Sequence, residues 1–223
     1  MSQTPHSATV DRYLQAIYCI EGEGEVARPG RLAYWLEVSA PTVSDALQRM
    51  QRDGWLVIAK DRSVTLTPAG QELATRVIWK HRVLERWLTD VLGFNWADAD
   101  EEAEQIALAM SDAVVERIDA SMDSPATCPH GNVIPGRVSP YGDLCSLAEV
   151  SDGEDVVVRR ISEVAEHEAR VLLGALAQYD IKEGTPLQVV DANLEGGAVS
   201  VKVKTETVTL SHEAVSVMWV ETN

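Results

Sequence analysis

The chain has 223 residues, 45% of them hydrophobic, which is long enough for more than one domain with a core of its own. Its formal net charge of −16 argues against a protein that coats nucleic acids unselectively, because contacts to phosphates need cations. No apolar run is long enough to cross a membrane, and the first residues lack the basic-then-apolar order of a signal peptide, so we expect a cytoplasmic protein with no membrane partner.

The first third of the chain has the pattern of a helix-turn-helix. Apolar residues at helical spacing predict a first helix over residues 9–21 and a short second helix over residues 30–36. A third helix is predicted over residues 41–53, because Pro41 suits the first turn of a helix and Ser39 before it can cap the open N–H groups. Alternating residues after Gly54 then predict a two-stranded wing.

The third helix has two faces of different character. Val43, Leu47 and Met50 recur at steps of four and three and form an apolar stripe, and the other side carries short polar residues followed by arginines. Short polar side chains suit base edges in a major groove, and arginines suit phosphates. With the cations of the wing, the expected DNA-binding residues are Ser39, Pro41, Thr42, Ser44, Asp45, Gln48, Arg49, Arg52, Lys60 and Arg62.

The acidic excess lies outside this region. Residues 1–70 carry seven Lys and Arg against eight Asp and Glu, whereas the other 153 residues carry 12 against 27. This distribution favours a locally docked DNA-binding domain attached to an acidic sensing body. The alternative is that the same helices and hairpin serve only as a scaffold.

The middle of the chain predicts helices with an apolar surface. Thr67 and Pro68 open a long helix that extends to about residue 92, and two more helices follow between residues 98 and 122. His81 and Glu85 stand one turn apart in the apolar stripe of the long helix, where they offer either a half-site for a cation or an ordinary hydrogen bond. The next two helices are too apolar to stand alone and predict a dimer interface.

The last third predicts a small β domain. The loop over residues 123–136 is rich in turn formers, and we interpret its Cys128 and His130 as structural. After a linker-like segment, short alternating runs surround a helix over residues 166–178, and the last strand is predicted over residues 214–220. Runs of this length suggest an SH3-like barrel.

The expected fold is mainly α, with a small C-terminal β-barrel. The division that we predict is a winged helix-turn-helix DNA-binding domain over residues 1–70, a helical dimerisation and metal-binding domain over 71–137, a linker over 138–155 and the barrel over 156–223.

Four segments carry a resemblance to a known family: APTVSDALQRMQRDGWL, LTPAGQELA, KHRVLERWL and CPHGNVIPG. The chain resembles the iron- and manganese-dependent repressors typified by the diphtheria toxin repressor and the manganese transport regulators, from about Val10 to Gly136 and more weakly into a FeoA-like barrel. The resemblance implies a homodimeric repressor of metal-homeostasis genes. Its helices after the wing would hold divalent cations, and a palindromic double-stranded operator would be its partner.

The resemblance also implies metal ligands. His81 and Glu85 match a histidine and a glutamate of the family's ancillary site, Asp100 matches a further ligand, and Glu104 matches a position held by Glu or Cys. The barrel of the family can lend ligands to this site. The expected set is His81, Glu85, Asp100 and Glu104 with Glu166, His167 and Glu168 from the barrel. These donors include no thiolate and favour Mn²⁺, with Fe²⁺ as the alternative.

Other positions depart from the family. Arg12, Ala107 and Leu108 stand where its primary metal site has ligands, and Asp45 replaces a glutamine that contacts bases, so the operator preference does not transfer. A regulator that has lost metal control, or that answers another signal, is therefore the alternative function. An enzyme is not expected, because the sequence has no HExxH, nucleophile elbow or phosphate-binding glycine loop.

Overall fold

The computed structural model describes residues 7–168 and 170–222, without the side chains of residues 166–170. The helices are α1 (Ala8–Gly22), α2 (Pro29–Trp35), α3 (Ala40–Arg52), α4 (Pro68–Asp90), α5 (Ala99–Ala107), α6 (Asp112–Ser121), α7 (Glu163–Glu168), α8 (Arg170–Gln178) and α9 (His212–Ser216). The strands are β1 (Leu56–Ile58), β2 (Val64–Leu66), β3 (Cys145–Ser146), β4 (Asp155–Ile161), β5 (Pro186–Asp191), β6 (Val199–Val203), β7 (Glu206–Leu210) and β8 (Met218–Thr222).

The N-terminal domain is the predicted winged helix-turn-helix. Helices α1 to α3 share one core with the wing and the start of α4, and β1 pairs antiparallel with β2. Ser39 caps α3 by accepting a hydrogen bond from the backbone N–H of Thr42 at 3.4 Å. Thr67 caps α4 in the same way, accepting from the N–H of Gly70. Both predicted helix starts are therefore confirmed.

Helix α4 joins the N-terminal domain to the helical middle of the protein. Its first half contributes Ala74 and Ile78 to the core of the winged helix, and its second half contributes Val83 and Leu84 to a separate core formed with α5 and α6. The helix has 23 residues, which corresponds to about 35 Å at 1.5 Å per residue. A residue at the centre of α4 therefore lies next to both domains.

The C-terminal domain is built on an antiparallel sheet with strand order β3-β8-β4-β5-β6-β7. Two predictions from its sequence were wrong in detail. Part of the expected linker belongs to this domain, because β3 pairs with β8 and Leu147 and Val150 are buried in its core. The last predicted strand begins with helix α9, in which Ala214 and Val215 pack inward, and only its end is strand.

Polar contacts, one buried and one partly buried, attach the C-terminal domain to the rest of the chain. Arg160 of β4 forms a bidentate ion pair with Glu23 after α1, at 2.5 and 3.1 Å, and Arg82 of α4 pairs with Glu163 of α7 at 2.8 Å. In the loop between α6 and β3, Gly131 lies against the backbone of Arg159. None of the described helices is long and apolar enough to cross a membrane.

Candidate metal centre and DNA-binding surface

The candidate metal centre is built on α4. His81 and Glu85 lie one turn apart on its inner face, with exposed fractions of 3% and 0%. Helix α5 packs against this face through Ala99 and Ala103 and brings Asp100 opposite His81, with His81 Nε2 3.1 Å from Asp100 Oδ1. Of the four donors expected to converge from these two helices, three are close together: His81, Glu85 and Asp100. Their ligand atoms all lie within 4.8 Å of one another.

A second group of donors shares Glu85. His130 Nδ1 lies 3.1 Å from Glu85 Oε1 and 3.8 Å from the Cys128 sulfur, and the ligand atoms of Glu85, Cys128 and His130 also lie within 4.8 Å of one another. The loop is held there because Trp96 packs edge-on against His130 and the carbonyl of His130 accepts a hydrogen bond from Ile161 of β4. The structure therefore adds Cys128 and His130, which we interpreted from the sequence as structural, to the candidate ligands.

Sequence reasoning missed these two residues because a ligand pair separated by one position makes no site until another element is added. The structure supplies that element, since the loop folds back onto α4 at Glu85. The signal available in the sequence was a thiol and an imidazole two positions apart in CPHG, where Pro129 and Gly131 favour a tight turn.

Glu85 is the residue at the centre of both groups. It is fully buried, yet neither of its carboxylate oxygens has a partner with hydrogen-bond geometry in the described part of the chain. A buried charge is costly unless it is hydrogen-bonded, paired or bound to a metal. The neighbouring imidazoles, thiol and second carboxylate are all metal ligands, so the residues present fit a divalent cation.

The protonation of the centre reflects this crowding of acids. Burial alone would lower the pKa of His81, but Glu85 and Asp100 outweigh that effect and raise it to about 9. Burial and then Glu85 raise the pKa of the Cys128 thiol well above its usual value. Without an ion, His81 is therefore an imidazolium cation and Cys128 is a neutral thiol. A bound cation would displace one proton from each of the two residues.

The other predicted ligands stand differently. Glu104 does not join either group, and its carboxylate pairs with Arg12 of α1 at 3.2 Å. The Glu104 carboxylate therefore faces α1, where it is paired with the Arg12 guanidinium. The side chains of Glu166, His167 and Glu168 lie outside the described residues. Glu163, the first residue of the same helix, is buried beside His81 and pairs with Arg82.

The candidate DNA-binding surface is the outer face of α3 with the wing. Val43, Leu47 and Met50 are buried beneath it, as the sequence predicts. The ten predicted contact residues are all exposed: Ser39, Pro41, Thr42, Ser44, Asp45, Gln48, Arg49, Arg52, Lys60 and Arg62. Arg49 and Arg52 lie in the last turn of α3, and Arg62 stands at the tip of the wing with a φ of 67°.

Comparisons with known proteins agree with this division of the chain. Family models match three consecutive parts: the N-terminal DNA-binding domain of iron-dependent repressors at residues 6–64, their metal-binding and dimerisation domain at residues 67–136, and the FeoA domain at residues 145–222. The iron-dependent repressor IdeR of Mycobacterium tuberculosis is 36% identical over 224 residues, which covers 96% of each chain. The chain belongs to the iron-dependent repressor family.

Other similar proteins include another repressor of this family and two manganese regulators. The diphtheria toxin repressor of Corynebacterium diphtheriae is 36% identical over 192 residues, covering 82% of this chain and 84% of that one. A manganese-dependent transcriptional repressor in complex with manganese superposes with a TM-score of 0.82 at 29% identity, over 96% of this chain and all of the other. The manganese regulator SloR superposes with a TM-score of 0.78 at 27% identity, over 99% of this chain and all of the SloR chain.

Membership explains why the three domains occur together. The family is one of metal-dependent transcriptional repressors, and the chain combines their DNA-binding domain, their metal-binding and dimerisation domain and a FeoA domain with an SH3-like sheet. The predicted fold class and the predicted class of function are confirmed.

Proposed function

We propose that this protein is a homodimeric repressor that binds palindromic operators of metal-homeostasis genes when a divalent cation occupies the centre on α4. The observation that carries the proposal is the buried Glu85 carboxylate, around which His81, Asp100, Cys128 and His130 converge. We place the protein in the cytoplasm, where operator DNA is accessible. No catalytic step is assigned to it, because its relatives are named as repressors.

Manganese remains our first choice of ion, with iron as the alternative. His81, Glu85 and Asp100 are the nitrogen and oxygen donors that Mn²⁺ and Fe²⁺ accept. Cys128 changes the argument from the sequence, which assumed a centre without sulfur, because a thiolate also suits iron and zinc. The two overlapping groups would hold one ion at Glu85 or two ions that share it. We assign Glu104 no role as a ligand.

The centre is placed so that an ion could act on DNA binding through α4. Ile78, one turn before His81, belongs to the core under the recognition helix, whereas Leu84 belongs to the core with α5. An ion that ties α4 to Asp100 of α5 and to the loop at His130 would restrain the angle between the two domains. In a dimer, that angle sets the separation of the two recognition helices, which must match the spacing of the half-sites.

A second function is favoured by one observation. Arg12 of α1 pairs with Glu104 of α5, so a cationic side chain already links the DNA-binding domain to the dimerisation domain at this point. A guanidinium carries its charge at all physiological pH values. The alternative is therefore a repressor whose geometry is partly fixed without metal, and which has become metal-independent or answers another signal.

One experiment separates the two functions. An operator is selected from random duplex DNA in the presence of Mn²⁺, and binding is then measured by fluorescence anisotropy with Mn²⁺, with Fe²⁺ under anaerobic conditions, and with a chelator. We expect the ion to strengthen binding of the wild type at least tenfold, and expect His81→Ala to abolish this gain. The matched control is His212→Ala, which alters an exposed histidine of the C-terminal domain. Equal affinity of the wild type with ion and with chelator would favour the second function.

A further inference from the structure

The wing has a tip that is organised around one carboxylate. The turn closes with two backbone hydrogen bonds, from Arg62 N–H to the Ala59 carbonyl and from Ala59 N–H to the Ser63 carbonyl. Within it, Asp61 Oδ1 accepts hydrogen bonds from the backbone N–H of Ser63 at 3.1 Å and from its hydroxyl at 2.7 Å. These bonds lower the pKa of Asp61, so its charge is retained.

A cation from outside the wing is attached to this tip. Arg28 precedes α2, and its Nη1 donates to the carbonyl of Asp61 at 3.2 Å while its Nη2 lies 3.5 Å from Asp61 Oδ2. The neighbouring backbone is anchored as well, because the carbonyl of the buried Ala27 accepts a hydrogen bond from Val64 of β2 at 2.9 Å. The guanidinium of Arg28 is thus held beside the wing and 33 residues away from it in sequence.

We propose that Arg28 is a further phosphate-contacting residue of the DNA-binding surface, positioned for that contact by Asp61. The inference rests on the DNA-binding function proposed above. A guanidinium has five N–H donors in a planar fork, so the two nitrogens turned towards Asp61 leave donors free for an anion. The side chain of Arg28 is 51% exposed, which leaves that edge open to solvent.

The charges around the tip favour an anion there. Arg28 pairs with Asp61, and Lys60 and Arg62 flank Asp61 in the sequence, so the tip has three cations against one carboxylate although the whole chain is strongly negative. In a helix-turn-helix the helix before the recognition helix crosses the DNA backbone. That helix, α2, begins directly after Arg28, which also contacts the wing. Arg28 lies where these two elements meet. Its contact would position the protein without reading bases.

The test measures how affinity for the selected duplex depends on salt. Each phosphate contact contributes about 0.9 to the slope of log K against log salt concentration, so a dimer that loses two contacts loses about 1.8. We expect this loss for Arg28→Ala and expect Arg28→Lys to retain the slope, because lysine keeps the charge. The matched control is Arg76→Ala, since Arg76 of α4 is a similarly exposed arginine that is paired with Asp112. It should retain the wild-type slope.

A double variant separates a direct contact from an effect transmitted through the wing. If Arg28 contacts its own phosphate, the losses of slope in Arg28→Ala and Arg62→Ala add in the double variant. If Arg28 only holds the wing in place, the double variant loses no more than the larger single loss, and the proposal is overturned. A wild-type slope in Arg28→Ala overturns it as well. If the wild type bound no duplex DNA under any of these conditions, the proposed function itself would be refuted.

Discussion

At the scale of single residues, the decisive feature is the position of Glu85 between two histidines. His81 Nε2 lies 3.7 Å from one of its oxygens and His130 Nδ1 lies 3.1 Å from the same oxygen. Without an ion, the protonated His81 partly offsets the buried negative charge. With an ion, the carboxylate oxygens, which have no partner with hydrogen-bond geometry among the described residues, would gain a coordinated cation.

Replacing Glu85 by glutamine should separate ion binding from folding. The amide has the shape of the carboxylate without its charge, so we expect Glu85→Gln to change metal-free stability by less than about 1 kcal/mol. The wild type should gain about 2.7 kcal/mol at a free ion concentration 100 times the Kd, because only the native state binds. The variant should lose most of this gain. Thermal unfolding with Mn²⁺ and with a chelator measures both quantities.

The control for this prediction is Glu72→Gln, which changes an exposed glutamate on the same helix. It should retain the full stabilisation by the ion. If Glu85→Gln were stabilised by Mn²⁺ as strongly as the wild type, the ion would bind elsewhere and the proposed centre would be wrong.

The ligands that could be predicted from the sequence are those close together in it. His81 and Glu85 follow from helical spacing alone, because residues four apart share a face. Asp100 came from the resemblance to the family, and the packing of α5 on α4 places it there. Cys128 and His130 could not be found in this way, since their approach to Glu85 depends on a loop that reaches α4 more than 40 residues later in the chain.

At the scale of elements, the loop between α6 and β3 holds the centre against the C-terminal domain. Gly131 has a φ of +87°, and a Cβ built there would lie 1.8 Å from the carbonyl oxygen of Arg159. Asn132 next to it donates a hydrogen bond to the carbonyl of Ile161 at 3.0 Å. The loop therefore has no room for a side chain at Gly131, and its path fixes both Cys128 and His130.

Gly131→Ala should destabilise the protein by about 2–5 kcal/mol. This range adds about 1–2 kcal/mol for left-handed backbone strain to about 1–3 kcal/mol for forcing atoms apart. Gly136→Ala is the matched control, because Gly136 lies in the same loop with a φ of +85° but has nothing within 4 Å of a built Cβ. Gly136→Ala should lower the free energy of unfolding only by the part that comes from backbone strain. Urea denaturation measures both, and equal losses would contradict the close packing of Gly131.

Periodicity predicted most helices and strands, and it failed where packing changes the local preference. The run at residues 214–220 alternates like a strand, but Ser211 caps a short helix by accepting from Ala214 N–H, and that helix packs Val215 into the core. Cys145 and Ser146 gave too short a pattern to predict a strand, and they pair only because β8 offers an edge. Such contacts are decided by partners distant in sequence.

At the scale of the whole molecule, the helical middle domain has an uncovered apolar surface. Leu108 after α5 and Val114 of α6 are 37% and 45% exposed, and each is next in sequence to a buried residue of the core of this domain, Ala107 and Val115. The protein is acidic as a whole, so two copies would associate only where apolar contact outweighs their repulsion. We expect this surface to form a two-fold dimer, because it belongs to the part of the chain that matches a dimerisation domain.

Val114→Asp should therefore weaken dimerisation. A carboxylate buried at a dimer interface without a partner costs about 1–3 kcal/mol. A two-fold interface buries two of them, so the total of about 2–6 kcal/mol corresponds to a dissociation constant that is roughly 30-fold higher or more. The control is Val190→Asp, because Val190 on β5 is 49% exposed and lies in the C-terminal sheet. Light scattering over a range of concentrations should show the mass of two chains for the wild type and the control, and a mixture with single chains for Val114→Asp. A dimer that persists unchanged in Val114→Asp would move the interface away from α6. A wild type that remains a single chain even when bound to operator DNA would contradict the dimer altogether.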